Sequence, residues 1–259
     1  MLICSSRRDC SEKREEGGGR REAGKRTPDE QELHYVVTST SPTLFPPPPS
    51  LLPRARLPQF IFCTGQYDSG DWDSAPDLPS NLIDSVARYT SIAVAPSGAI
   101  VPLASDAIFE YPLVYLTGHL PFRFSEAERR NVRKLVERGG MLFIDDHNHD
   151  IGGVFHKTAM EEIARTFSPP KDLPNDNEIY RCFFKFSDGP PATSHELNGW
   201  GDNLVHKNLQ AVMQGDRIGV LYSSKDYSSE WNYSPDSKRF STVDNTRFGV
   251  NIIVYALTR

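Results

Sequence analysis

The chain divides into two parts by the pattern of its apolar residues. From residue 59 onward, short apolar runs alternate with segments in which apolar residues recur every three or four positions. Short apolar runs are typical of buried strands, and the three-and-four spacing is typical of amphipathic helices. Strands that alternate with helices build βαβ units. The pattern therefore predicts one α/β domain over 59–259, with a mostly parallel sheet between two layers of helices.

A capping box marks the clearest helix start. Ser125 stands three residues before Glu128, so each side chain is expected to bond the other residue's backbone amide. This helix is predicted to end at Gly139, because glycine readily adopts the left-handed conformation that terminates many helices. Strands are predicted at 59–63, 91–95, 113–117, 141–145, 179–186 and 217–222, helices at 82–87, 125–138, 155–167 and 247–257, and a long loop at 187–215.

Residues 1–58 have a different composition. The first thirty residues mix charges of both signs with glycines, and 42–58 is rich in proline. Such a segment cannot bury enough apolar surface to offset its chain entropy, so a disordered extension is predicted. An alternative is a mis-assigned start, with the natural protein beginning near Gln59. We infer no function from this extension.

Charge and cysteine content exclude several classes. The net charge of −5 and the lack of a basic stripe give no electrostatic reason to expect nucleic acid as a partner. No run approaches the roughly 20 apolar residues of a membrane span, which favours a cytoplasmic location. The four scattered cysteines support neither a disulfide framework nor a cysteine-based zinc site.

Polar and aromatic residues follow the predicted strands. In a parallel sheet the carboxyl ends of all strands lie at one edge, where open α/β folds bind their ligands. These residues should therefore converge in one crevice: Tyr67 and Trp72 after the first strand, His119 after the third, and Asp145 and Asp146 at the fourth.

Binding without catalysis is the first functional hypothesis. Asp145 and Asp146 would accept hydrogen bonds or bind a cation, His119 would orient a small polar ligand, and the rings of Tyr67 and Trp72 would stack on it. The same crevice could dock a partner protein in an assembly.

A metal-dependent hydrolase is the alternative. Asp145, Asp146, His147 and His149 are suitable ligands for a divalent ion, which could activate water near neutral pH. Their spacing matches no established metal motif. A third chemistry, nucleophilic catalysis by Cys63, is disfavoured because the cysteine lies inside an apolar run and lacks the small neighbours of a nucleophile elbow.

Four motifs follow one another between 59 and 259. They are Tyr67-x-x-Gly70-x-Trp72, Tyr111-Pro112-Leu-Val-Tyr-Leu-Thr-Gly-His119, Gly139-Gly140-x-Leu142-x-x-Asp145-Asp146 and Gly249-Val-Asn251-Ile-Ile-x-Tyr255-Ala256-Leu257. In this order they resemble the domain-of-unknown-function family numbered 4159.

That resemblance implies a flavodoxin-like architecture similar to class I glutamine amidotransferases, and it implies no established activity. It also implies an exported or membrane-linked setting, with MoxR-type ATPases and von Willebrand factor A proteins as partners. Amidotransferase activity is not expected, because Thr117-Gly118-His119 follows the third strand where those enzymes carry their catalytic cysteine.

Overall fold

The computed structural model of the protein describes residues 58–234 and 242–259. The predicted extension over 1–58 lies outside these residues except for Pro58. The strands are β1 (Cys63–Gln66), β2 (Ala99–Pro102), β3 (Leu113–Gly118), β4 (Met141–Asp146), β5 (Lys171–Asp172), β6 (Gln210–Gln214) and β7 (Arg217–Ser223). The α-helices are α1 (Leu78–Tyr89), α2 (Glu126–Glu137), α3 (Val154–Thr166), α4 (Ser194–Asn198), α5 (Tyr227–Trp231) and α6 (Val243–Thr258), with 3₁₀ helices at Asp106–Glu110 and Glu178–Tyr180.

The seven strands form one mostly parallel sheet in the order β2-β1-β3-β4-β7-β6-β5. The first five are parallel, whereas β6 pairs antiparallel with both β7 and β5. The parallel order is that of flavodoxin-like sheets, in which the chain changes direction between β1 and β3. The α/β prediction is confirmed, and the change of direction puts the predicted crevice at the carboxyl ends of β1 and β3, where folds of this type bind their ligands.

Helices pack on both faces of the sheet, as predicted. Alternate residues of β3 enter different cores: Leu113 and Tyr115 pack with residues of α1 and α6, and Val114 and Leu116 pack with residues of α2 and α3. A strand that is buried on both faces has to be apolar at every position. This requirement explains the uninterrupted apolar runs in the sequence.

The predicted start of α2 is confirmed. The Ser125 hydroxyl accepts from the Glu128 amide at 3.4 Å, and Glu128 Oε2 accepts from the Ser125 amide at 2.7 Å. Glu128 Oε1 also accepts from the Asp68 amide at 2.8 Å, so the cap ties α2 to the loop after β1. Gly139, with φ of 105°, follows the helix in a conformation that favours glycine.

Several predicted strands need correction. The predicted strand at 179–186 is wrong: the segment is a 3₁₀ helix followed by turns. Its apolar residues pack against α6, and the Asn251 side chain bonds the backbone of Ile179 and Phe184 in place of a neighbouring strand. The predicted strand at 91–95 is also wrong: only Val94 forms an isolated bridge there, to Phe60, and β2 lies further along the chain. Strand β1 begins at Cys63, the last residue of the strand predicted at 59–63. Strand β6 lies in the segment that was predicted to be a loop.

No helix within 58–234 or 242–259 has the length and apolar character needed to cross a membrane.

Candidate functional site

An aspartate and a histidine form a fixed pair beside the crevice between β1 and β3. Asp71 Oδ1 accepts from the backbone amides of His119 and Leu120, at 2.8 and 3.0 Å, and Asp71 Oδ2 lies 2.7 Å from His119 Nδ1. Burial acts to raise the pKa of Asp71, but these hydrogen bonds outweigh it and the pKa is lowered. Asp71 is therefore a carboxylate that holds the His119 ring in one orientation.

Gly118 allows this close approach. A Cβ atom at this position would lie 2.4 Å from Tyr67 Oη and 2.8 Å from Asp71 Oδ1. Any side chain would push Asp71 away from His119. The glycine in the Thr117-Gly118-His119 sequence is thus part of the site.

The His119 ring stacks on a second imidazole. The centroids of His119 and His147 are 4.2 Å apart, with an interplanar angle of 24°. His147 Nδ1 lies 3.1 Å from the Ser74 hydroxyl, and Nε2 lies 3.2 Å from the Ser229 hydroxyl. Burial, followed by the nearby His119 and His195, lowers the pKa of His147 to about 3. His147 is therefore neutral at physiological pH and is a weak base.

The two aromatic residues predicted for the crevice have packing roles. Tyr67 is 2% exposed, and its hydroxyl donates to the carbonyl of Thr117 at 2.7 Å. Trp72 is half-buried and packs against the core between the sheet and α2. Tyr67 thus supports the crevice from below, whereas Trp72 keeps part of its ring accessible.

Asp145 and Asp146 are both fully buried, and successive residues of a strand point to opposite faces of the sheet. Asp145 Oδ2 accepts from the amide and the hydroxyl of Ser228, each at 2.6 Å. Asp146 Oδ1 accepts from the Asn148 amide at 3.0 Å. Burial raises the pKa of Asp145 to about 6 and that of Asp146 to about 7. Both carboxyl groups lie beneath the crevice surface.

The predicted metal ligands therefore do not share one direction. Asp145 and Asp146 diverge, His147 lies between two serine hydroxyls, and His149 turns towards a different segment. In the part of the chain that the structure describes, the group with potential ligand atoms close together is His149, Asp202 and His206. The sequence analysis missed Asp202 and His206, although a spacing of four residues within the long segment was a weak signal.

A third aspartate lies beside Asp145. Asp226 caps the start of α5, where its side chain accepts from the Ser229 amide at 2.9 Å. Burial, and next the charge of Asp145, raises the pKa of Asp226 well above its ordinary value. The crevice therefore lies above a group of carboxyl groups that resist ionisation.

One known family matches most of the chain. The family described as Domain of unknown function (DUF4159) matches residues 62–257. The chain belongs to this family. The resemblance drawn from the four ordered motifs is thereby confirmed. No curated protein matches the chain.

Neither described cysteine of this DUF4159 chain is suited to nucleophilic catalysis. Cys63 is fully buried at the start of β1, and burial raises the pKa of its thiol to about 12. Burial likewise raises the pKa of Cys182 to about 11. The thiolate is the nucleophilic form of cysteine, so both thiols are inert at neutral pH.

Proposed function

We propose that this protein is a non-catalytic binding module for a small, neutral ligand that carries hydroxyl groups. The crevice at the ends of β1, β3 and β4 would hold this ligand. One observation carries the proposal: Asp71 fixes the His119 ring while 42% of the His119 side chain stays exposed. Among the described residues, no hydrogen bond occupies His119 Nε2, which is available to a ligand.

The chemistry of His119 favours a hydroxyl group as its partner. When the hydrogen on His119 Nδ1 is directed at the Asp71 carboxylate and Nε2 carries none, Nε2 is an acceptor. The Ser74 and Ser229 hydroxyls lie on either side of His147 and add both donors and acceptors. A polyol or sugar presents the matching pattern of donors and acceptors.

Local charge disfavours an anion. The loop after β1 carries the exposed residues Asp68 and Asp73 near Asp71, and the whole chain has a net charge of −5. Trp72 and the stacked imidazoles provide flat surfaces of the kind that pack against sugar rings. These features support a neutral ligand.

The same geometry argues against a serine-hydrolase mechanism at this position. Serine hydrolases need a hydroxyl bonded to a basic histidine that a carboxylate orients. Here Asp71 orients His119, whereas the serine hydroxyls contact His147, whose pKa is about 3. The imidazole that a carboxylate orients is therefore not the imidazole that the serine hydroxyls contact.

The partners implied by the family, a MoxR-type ATPase and von Willebrand factor A proteins, stay predictions.

Nuclear magnetic resonance of the imidazole groups tests the proposal. Glucose, ribose and mannitol would be titrated into the full chain, with sodium phosphate and ethanolamine as charged probes. At least one neutral probe should shift the His119 and His147 resonances at millimolar concentration. His119→Gln should weaken that binding about tenfold, the value of one lost hydrogen bond, whereas His206→Gln should not.

Two results would overturn the proposal. One is that no neutral probe shifts the two imidazoles, or that only a charged probe does. The other is that the wild-type protein and His119→Gln bind the neutral probe equally well.

A further inference from the structure

We propose that His149, Asp202 and His206 form a binding site for a divalent transition-metal ion, with Zn²⁺ the preferred ion. His149 follows β4, whereas Asp202 and His206 lie between α4 and β6. One ligand atom from each residue lies within 4.8 Å of the other two. Two imidazoles and one carboxylate are a ligand set typical of zinc. This site is separate from the Asp71–His119 pair and goes beyond the proposed function.

The distances from Asp202 to the two imidazoles are close to those around a tetrahedral ion, and they end on different oxygens of the carboxylate. Nε2 of His206 lies 2.9 Å from Asp202 Oδ2, and Nε2 of His149 lies 3.5 Å from Asp202 Oδ1. Around a tetrahedral Zn²⁺ with bonds of about 2.0 Å, neighbouring ligand atoms are roughly 3.3 Å apart. Small side-chain movements would therefore place all three ligand atoms around one ion.

The hydrogen bonds of His149 single out one of its nitrogens for a metal. Its ring is fully buried, with the Ser224 carbonyl 2.7 Å from Nδ1 and the Leu204 carbonyl 3.0 Å from Nε2. A neutral imidazole carries one hydrogen, so it can donate to only one of these carbonyls. Donation from Nδ1 to a backbone carbonyl is the bond that usually orients a metal-binding histidine. Nε2, which lies 3.0 Å from the Leu204 carbonyl and 3.5 Å from Asp202 Oδ1, is then the nitrogen that can bind a cation.

Asp202 is held in place by backbone amides. Its carboxylate accepts from the amides of Ile151 and Leu204, at 3.2 and 2.9 Å, and lies 2.9 Å from His206 Nε2. These contacts fix the carboxylate between the two histidines.

The backbone brings the two segments together. The Asp202 amide donates to the carbonyl of His149 at 2.9 Å. At Gly201, whose φ is 64°, a Cβ atom would lie only 1.9 Å from that carbonyl oxygen, so only glycine allows the contact. The His206 amide is fixed in turn by Glu196 Oε1 at 2.8 Å. The three ligands are therefore preorganised by protein contacts.

A cavity adjoins the site. It has a volume of about 280 Å³, and its lining includes His206, His156 and Ser224. Three protein ligands leave one tetrahedral position open, and in zinc sites of this type water or a substrate occupies that position. The cavity gives such a molecule a route to the ion.

Calorimetric titration of the chelator-stripped full chain with Zn²⁺ tests the proposal, with Mg²⁺ as the comparison ion. We expect one Zn²⁺ per chain at micromolar or tighter affinity, and much weaker binding of Mg²⁺. Asp202→Asn and His206→Gln should each weaken Zn²⁺ binding at least about 100-fold, since even residues behind the ligands contribute about 10- to 100-fold. His119→Gln is the matched control and should bind Zn²⁺ as the wild type does.

Circular dichroism of the metal-free variants shows whether each variant is folded. If one of the two ligand variants is not folded, the other still tests the proposal. The proposal is overturned if the wild type binds no Zn²⁺, or if folded Asp202→Asn and His206→Gln bind it with unchanged affinity. It is also overturned if His119→Gln alone loses binding. None of these results depends on whether a neutral ligand binds at His119.

Discussion

Two groups of aspartates differ in their burial, and their pKa values are shifted in opposite directions. At the rim, Asp71 and Asp202 each use both carboxylate oxygens for hydrogen bonds, and their pKa values are lowered. Beneath the crevice, burial raises the pKa values of Asp145, Asp146 and Asp226. The residue type alone therefore does not decide whether a carboxyl group is charged. The number of donors around it and its access to water decide this.

The difference in pKa separates aspartates that orient binding residues from aspartates that support the fold. The rim aspartates are ionised, hold histidines and lie next to exposed or cavity-lining side chains. Asp145 and Asp146, in contrast, each keep one oxygen without a hydrogen-bond donor in the described part of the chain. A buried oxygen of this kind destabilises the fold when it is charged. We expect substitutions in the two groups of aspartates to change the stability of the fold with opposite dependence on pH.

The largest effect should come from unpairing a buried charge. Lys225 Nζ lies 2.6 Å from both carboxylate oxygens of Glu196, and the two side chains are 1% and 0% exposed. Glu196→Gln leaves a buried ammonium group without its anion, which should lower the free energy of unfolding by about 3–5 kcal/mol. Guanidinium denaturation at pH 7 measures this change.

A matched control is the exposed pair of Arg123 and Glu161, whose charged atoms are 3.9 Å apart. Glu161→Gln should leave stability unchanged within error, because exposed pairs contribute little. Similar losses of stability in Glu196→Gln and Glu161→Gln would show that burial does not determine how much the pair of Lys225 and Glu196 contributes to stability.

The next effect is a change in how stability depends on pH. Burial raises the pKa of Asp146 from 3.8 to about 7, so the folded protein holds this proton more tightly than the unfolded chain. Stability should therefore fall as the pH rises from 4 to 8. At 1.36 kcal/mol per pKa unit, the loss attributable to Asp146 is on the order of 2–4 kcal/mol. Asp146→Asn should remove most of that slope.

Urea denaturation at pH 4.5, 6 and 8 measures the slope for the wild type and the variant. The variant should gain stability relative to the wild type as the pH rises, whatever its absolute stability. Asp145 contributes in the same direction, so some slope should remain. A constant difference between the two proteins across this range would contradict a raised pKa at Asp146.

How far the sequence predicts the fold depends on whether the signal is local. The capping box of Ser125 and Glu128 is complete within four residues, and β3 and β4 are apolar because both of their faces are buried. The prediction at 179–186 failed because Asn251, far away in the chain, satisfies that segment's backbone. Strand β6 was missed because only one of its five residues is buried, so it lacks the apolar run that marks β3 and β4.

The candidate site follows the same rule. The convergence of residues after β1, β3 and β4 follows from parallel strands, and it placed His119 beside Asp71 and His147. Which carboxylates face the crevice could not be predicted, because that depends on strand register and on the loops above it. The association of His149 with Asp202 and His206 depends on the close contact at Gly201, which the pattern of the sequence does not indicate.

The smallest effect should come from the rim, and its sign should be opposite to that of Asp146. The pKa of Asp71 is lowered from 3.8, so its carboxylate stabilises the fold above that pH, and this contribution is lost as the pH falls. Asp71→Asn should cost about 0.5–1 kcal/mol at pH 7, because the pair with His119 is partly exposed to solvent.

The measurement is urea denaturation at pH 7 and at pH 3.5, where the difference between Asp71→Asn and the wild type should shrink. The variant should also bind the neutral ligand less tightly at pH 7, because the His119 ring loses its fixed orientation. A loss of stability that grows as the pH falls would place Asp71 with the buried carboxyl groups and remove the distinction between the rim and the interior, and an equal loss at both pH values would contradict a lowered pKa at Asp71. A loss of ligand binding with little change in stability would instead identify Asp71 as a positioning residue for His119.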